Sequence, residues 1–158
     1  MLVRHAKSGW DNPLLADFDR PLSGRGENDA PEMAKRLVKK GLVPQYLVSS
    51  PALRAKTTAG IFAKQLKLPA PTYNAAIYEA TYTTLLSVVN SFPDEYGFVA
   101  LFGHNPGLSQ LTYHLTGDLY DMPTCGIVLI ELEADSWKMV SGDTGTIKYN
   151  DYPKNEQD

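Results

Sequence analysis

The chain has 158 residues, 43% hydrophobic and 21% charged, which is enough apolar material for a buried core and excludes a disordered chain. One domain is expected, since domains mostly run roughly 100 to 200 residues. A net charge of −3 offers no basic surface to nucleic acid, and the single cysteine, Cys125, excludes an internal disulfide framework and suits a reducing compartment.

The first strand is short. Met1–Val3 precede Arg4 and His5, whereas strands usually run about 5 to 6 residues, so a native start upstream of Met1 is expected. The same two residues interrupt any apolar region, and no secretory signal peptide is expected. A polar loop, "DNPLLADFDRPLS", leads to "GRGENDAPEMAKRLVKKG" at 24–41, where Met33, Leu37 and Lys40 share a helical face with Ala34 and Val38 beside it. Gly41 marks the helix stop. Pro31 disfavours helix at Ala30 and predicts a break or restart there.

"YLVSS" at 46–50 reads as a strand. In the following "PALRAKTTAGIFAKQL", Ser50 is the expected N-cap, with Pro51 in the first helical position, where its missing N–H costs nothing. Ala52, Ala55, Ala59, Phe62 and Leu66 trace its core-facing stripe. "TYTTLLSVVNSF" (81–92) predicts a helix burying Leu85, Leu86 and Val89. "GFVALFG" (97–103) is apolar on both faces, as a central strand covered by helices should be. "HNPGLSQLTYHLTG" turns into a helix ending at Gly117, and its His114 reads as a surface or packing histidine. "GIVLIELEADSWKMVSG" predicts an antiparallel hairpin turning around Ala134–Ser136. Its apolar run is the longest in the chain and falls far below the ~18 residues of a membrane span.

Strands alternating with helices predict one α/β domain over 1–152, a three-layer sandwich with a mostly parallel central sheet flanked by helices and a C-terminal antiparallel hairpin. Residues 153–158, "PKNEQD", read as a frayed polar tail. A cytoplasmic monomer is expected.

Three strand exits stand out: "LVRHA", "VSSPALRA" and "LFGHNPG". Each delivers a cation or imidazole just past a strand, first Arg4 and His5, then Arg54, then His104. Open α/β sheets place ligands beyond the carboxyl ends of their strands. The last two exits also open helices, whose free N–H groups and positive dipole end favour an anion. An isolated Arg-His pair would mark only the end of a strand. Two guanidiniums, two imidazoles and two helix ends converging on one spot suit phosphate, because guanidinium grips phosphoryl oxygens in pairs.

At these residues the chain resembles the histidine phosphatase (phosphoglycerate mutase-like) superfamily, and within it the small SixA-type phosphohistidine phosphatases. "RHA" at 4–6 stands where the family carries an Arg-His-Gly signature. "DRPLSGRG" (19–26), "SSPALRAKTTA" (49–59), "IYEA" (77–80), "GHNPGLSQL" (103–111) and "MPTCGIVLIELEADSW" (122–137) also match, in the family's order. The resemblance implies a phosphoglycerate mutase-like fold. It also implies a phosphatase whose nucleophile is His5, with Arg4, Arg54, His104 and Asn105 binding phosphate.

On that reading the unprotonated His5 imidazole attacks phosphorus and forms a phosphohistidine intermediate that water cleaves. Its ordinary pKa of about 6.5 should be pushed down by Arg4 and Arg54. Larger relatives carry a carboxylic acid that protonates the leaving group; Glu79 and Asp19 are the candidates here. A departing imidazole is readily protonated at neutral pH and needs no strong acid, so a protein phosphohistidine substrate is favoured over an alkyl phosphate ester. No cofactor or metal is expected, although the loop acids Asp11, Asp17 and Asp19 are a weak magnesium signal. The alternatives are a phosphatase of small phosphomonoesters, a mutase-like relative, or a phosphate-recognising module without turnover.

Overall fold

In the computed structural model, which describes residues 1–155, six strands form one sheet. They are β1 (Leu2–Arg4), β2 (Tyr46–Ser49), β3 (Thr72–Tyr73), β4 (Val99–Gly103), β5 (Ile127–Leu132) and β6 (Gly145–Asp151), in the order β3-β2-β4-β1-β5-β6. The first four lie parallel, and β5 and β6 add the expected antiparallel hairpin. Helices α1 (Gly24–Lys40) and α2 (Leu53–Leu66) cover one face; α3 (Tyr82–Asn90) and α4 (Gly107–Thr116) cover the other.

The pleat of β1 feeds both cores. Val3 joins Phe62, Phe102, Met33 and Leu37 on the α1/α2 side, while Leu2 joins Leu101, Leu108 and Leu111 on the α3/α4 side. Phe62 and Phe102 meet edge to face at 5.1 Å. Each such fully buried side chain is worth about 1.5–3 kcal/mol relative to exposure. Three residues suffice for β1 because it is paired on both edges, to β4 and to β5. All five residues of β4 are buried, as a strand apolar on both faces requires.

Several local expectations are corrected. Pro31 does not break α1, which runs unbroken from Gly24 to Lys40. An interior proline costs roughly 3 kcal/mol, and burial of Ala30, Met33, Ala34 and Leu37 against the sheet outweighs it. Val38 and Lys40 lie outside that buried stripe and are exposed. The helix after β2 starts at Leu53 with Ala52 as its N-cap, so Pro51 precedes it. Ser50 caps nothing helical; its Oγ accepts the Ala52 N–H at 3.2 Å and turns the chain. In α3 it is Val88 that is buried with Leu85 and Val89, Leu86 being half-buried.

The C-terminal hairpin closes much later than Ala134–Ser136. "WKM" forms a 3₁₀ turn instead of a strand. Trp137 is held by its indole N–H to the Tyr96 carbonyl and by an edge contact with Phe92, while the Asn90 amide donates to the Trp137 and Val140 carbonyls. The tail assignment also changes. Arg36 donates to the carbonyls of Tyr152 and Pro153, and Asn155 donates to Asp151, so 153–155 are tied to the domain. Residues 156–158 of that tail lie outside the described residues. Among the described residues no helix is long and apolar enough to cross a membrane.

One close approach couples α1 to the exit of β1. The Ser23 N–H and hydroxyl both donate to the Lys7 carbonyl, and Ser23 Oγ accepts the Gly26 N–H. A Cβ on Gly26 would stand 2.1 Å from that same Lys7 oxygen. Gly26→Ala is therefore expected to destabilise the protein by about 1–3 kcal/mol, the usual cost of overpacking. Gly24→Ala, where a Cβ meets open space, should be neutral. Urea midpoints at constant m-value test the pair; equal midpoints would contradict it.

Candidate active site

The exits of β1, β2 and β4 are neighbours because those strands are adjacent and parallel. They are also stitched together: the His5 N–H donates to the Gly103 carbonyl, and the Ser50 N–H donates to the Phe102 carbonyl. This brings Arg4, His5, Arg54 and His104 to one place at the carboxyl edge of the sheet. The imidazoles of His5 and His104 lie 5.3 Å apart between centroids.

His5 is only 7% exposed. Its Nδ1 lies 2.8 Å from the Ala6 carbonyl oxygen. A carbonyl can only accept, so Nδ1 carries the proton and Nε2 keeps its lone pair. The Ala6 N–H in turn donates to Thr58 Oγ1, whose hydroxyl donates to the Arg54 carbonyl, fixing the β1 exit against α2. Burial lowers the His5 pKa to about 3, against the raising effect of the Ala6 bond, with His104, Arg54 and Arg4 lowering it further. The expected direction holds, but burial is the main cause; the arginines are secondary.

His104 Nε2 lies 2.8 Å from Ser50 Oγ. That oxygen already accepts the Ala52 N–H, so its own hydrogen can go to Nε2, the tautomer in which Nδ1 bears the proton. Burial and then Arg54 lower the His104 pKa to about 4. Both imidazoles are thus neutral at physiological pH.

The sign of the resulting pH dependence follows directly. Both folded values lie below the unfolded value of about 6.5, so the unfolded chain binds more protons in between. Stability should fall as pH drops from 6.5 towards 4, by at most about 1.4 kcal/mol per group for each pH unit inside the window. Urea midpoints at pH 7 and 4.5 measure this. The difference should shrink in the His5→Ala, His104→Ala double variant; an unchanged difference would refute the assignment.

The guanidiniums are held from behind. Arg4 Nη1 donates to the Met122 carbonyl at 3.0 Å. Arg54, 7% exposed, donates from Nη1 to the Asp17 carbonyl at 2.7 Å and from Nη2 to Asp17 Oδ2 at 3.0 Å. Among the described residues, Arg4 Nε, Arg54 Nε, Arg20 Nη1 and His104 Nδ1 are buried without a protein acceptor. Four buried nitrogens left open in one cluster is an unusual concentration, since buried polar groups are nearly always bonded.

Three expected residues differ from those four: Asn105 shares the Met122 carbonyl with Arg4, and Glu79 and Asp19 are unpaired among the described residues. The Asn105 amide donates to the Met122 carbonyl, and its oxygen accepts from the backbone and hydroxyl of Ser109. Its side chain is committed to bracing the Met122 loop and the first turn of α4. Glu79 and Asp19 are exposed, and among the described residues neither carboxylate makes a hydrogen bond or ion pair. Glu79 sits at φ +53°, left-handed backbone. His114, as expected, packs, with its ring 5.0 Å from that of Tyr82.

Other residues enter the site that sequence reasoning missed or misassigned. Ser50 read as a helix cap. Asp17 read only as a magnesium candidate, yet its carboxylate takes Arg54, the Tyr78 hydroxyl at 2.7 Å and an ion pair with Arg20. The Tyr78 bond, above all, lowers the Asp17 pKa, and Tyr78 is raised to about 12 by the same bond. Arg20 is buried and donates to Ser8 Oγ. The only sequence signal for Arg20 was its place inside "DRPLSGRG".

The chain is similar to known proteins in both sequence and fold. The family model described as histidine phosphatase superfamily (branch 1) matches residues 1–85. A chloroplastic protein of Arabidopsis thaliana, itself uncharacterized, is 32% identical over 149 residues, covering 87% of this chain and 68% of that protein. A solved structure of the protein histidine phosphatase SixA complexed with tungstate superposes with a TM-score of 0.83 at 21% identity, covering 96% of this chain and 95% of that one. A mycobacterial glucosyl-3-phosphoglycerate phosphatase complexed with VO3 superposes with a TM-score of 0.70 at 15% identity, over 94% and 96%. At these identities the two structures share the fold.

Proposed function

This chain belongs to the histidine phosphatase superfamily (branch 1), and from that premise we propose that it is a phosphatase that works through a covalent phosphohistidine on His5. The observation that carries the reading is the buried, neutral His5 whose Nδ1–H is fixed on the Ala6 carbonyl. The Nε2 lone pair attacks phosphorus, the bond from phosphorus to the leaving group breaks, and the leaving group takes that electron pair. Water then attacks the phosphorus on His5, releasing inorganic phosphate and returning Nε2 its lone pair. Arg4, Arg54 and His104 donate to the phosphoryl oxygens through their open N–H groups, and this electrostatic support is the main need of phosphoryl transfer. The tungstate and VO3 complexes of the two relatives support an oxyanion in this pocket.

The substrate that fits best is a phosphohistidine side chain on a protein. The carboxylate anchored in the site, Asp17, is held ionised by Tyr78 and Arg54 and cannot donate a proton at neutral pH. The nitrogen of a phosphohistidine is readily protonated near neutral pH and departs as neutral imidazole, whereas an alkoxide is a poor leaving group unless a positioned acid protonates it as the bond to phosphorus breaks. One relative is a protein histidine phosphatase, which agrees. The other is a glucosyl-3-phosphoglycerate phosphatase, which keeps small phosphomonoesters as the second reading. Neither Glu79 nor Asp19 is required on the first reading.

The proposed reaction uses no metal. Asp17, the loop acid nearest the clamp, is already neutralised by Arg54 and Arg20. Purified protein should hydrolyse a phosphohistidine peptide at least ~10-fold faster, by kcat/KM, than an alkyl phosphate. EDTA should leave both rates unchanged. Faster alkyl ester hydrolysis would favour the second reading, and EDTA loss rescued by magnesium would overturn metal independence.

A further inference from the structure

Beside the phosphate clamp stands a cluster of aromatic side chains that the chemistry above does not use. Tyr78 packs its ring edge-on against the imidazole of His104 at 5.6 Å, and Phe18 packs edge-on against Tyr78 at 5.1 Å. The Tyr78 hydroxyl donates to Asp17 Oδ2, the same oxygen that receives Arg54 Nη2. Tyr78 therefore bridges two members of the clamp, one through its ring and the other through its hydroxyl. Phe18 keeps 38% of its surface exposed, and on the same loop Trp10, 73% exposed, lies 3.4 Å over the guanidinium of Arg20. Large aromatic side chains left this open are poorly explained by the core, to which none of the three belongs.

We propose that Phe18 and Tyr78 form a leaving-group subsite that takes a planar ring, the imidazole of a phosphohistidine, bonded to the phosphoryl group held by Arg54 and His104. The inference rests on the phosphatase reading and adds the element that selects the leaving group. Beside His104 and Asp17 the Tyr78 and Phe18 rings already meet at nearly a right angle, 5.1 Å apart, so a ring bound to that phosphorus on this side would rest against them. Aromatic rings prefer edge-to-face and offset contacts, and the His104–Tyr78–Phe18 series has that geometry. An alkyl phosphate places no ring there. Nor does phosphoramidate, which has the labile phosphorus–nitrogen bond without a ring.

The test compares four full-length proteins on three substrates: a phosphohistidine peptide, an aryl phosphate and phosphoramidate. Tyr78→Leu and the double variant Phe18→Ala, Tyr78→Leu should lose about tenfold in kcat/KM on the two ring-bearing substrates, as stacking contacts of about 0.5–1.5 kcal/mol imply. Their phosphoramidate rate should stay within about twofold of that of Tyr78→Phe, which loses the same hydroxyl bond to Asp17, and this rate also shows that the variants are folded. Tyr78→Phe keeps the ring and removes the hydroxyl, and it should keep the wild-type preference for ring-bearing substrates. Equal losses on all three substrates, or no loss on any, would overturn the subsite. Wild-type protein that turns over none of the three would overturn the phosphatase reading on which it stands.

Discussion

His5→Ala should lose turnover by about 10⁴-fold or more on every phosphorylated substrate, the scale on which loss of a nucleophile acts in covalent catalysis. The loss should fall on kcat, because the remaining clamp still binds the phosphoryl group. Alanine leaves no atom to receive phosphorus, so no alternative nucleophile stands in the same place. The ring is small, buried and bonded to the Ala6 carbonyl, and its deletion leaves β1 paired on both edges. The variant should therefore remain folded. Steady-state assay beside a thermal melt separates inactivity from unfolding. A folded His5→Ala protein with more than about a tenth of wild-type activity would exclude His5 as the nucleophile.

Arg54→Ala should cost about 10²–10³ in kcat/KM, the range seen when one preorganised oxyanion donor is removed. Arg54 is buried in the first turn of α2, with two of its nitrogens fixed by Asp17 and Nε left open. Its position is set before substrate arrives, so its attraction to developing charge needs little reorganisation. Arg54→Lys should recover less than tenfold of the loss, because a single ammonium cannot hold Asp17 and the phosphoryl oxygens as a planar fork does. Full recovery by lysine would mean that Arg54 supplies charge alone. Competition by inorganic phosphate should weaken in parallel in both variants.

The parts of this molecule that local chemistry determines are legible in its sequence. The apolar run of β4 announced a central strand, and the order of elements announced a mostly parallel sheet. Arg4, His5, Arg54 and His104 were visible because each follows a strand, and parallel neighbouring strands carry their exits to one edge. What was not legible depends on partners distant in the chain. Pro31 breaks no helix because the core holds α1 on both sides of it. "SWKMVSG" has strand composition, yet Asn90 and Tyr96 bind Trp137 in a 3₁₀ turn. Ser50 has every local mark of a helix cap, and only the arrival of His104 from β4 turns its hydroxyl to the site. Asn105 reads as a ligand contact, and its bonds to the Met122 carbonyl and to Ser109, which brace the loop and α4, depend on partners the sequence does not pair with it. Asp17 and Tyr78, 61 positions apart, could not be paired from the sequence.

The chemistry of the site comes down to the protonation state of two buried histidines and the positions of two arginines. Burial keeps His5 neutral, and the Ala6 carbonyl decides which nitrogen is free. In the proposed reaction the arginines then offer charge to the phosphoryl group without protonating the nucleophile.

The most direct test is a rapid-quench measurement of covalent phosphate on the wild-type protein and on His5→Ala, with a phosphohistidine peptide carrying labelled phosphate. The account predicts an acid-labile, base-stable label on the wild-type protein, located at His5 and absent from the variant. A wild-type protein that turns over substrate with no protein-bound phosphate at any quench time, or a label that persists in His5→Ala, would contradict it.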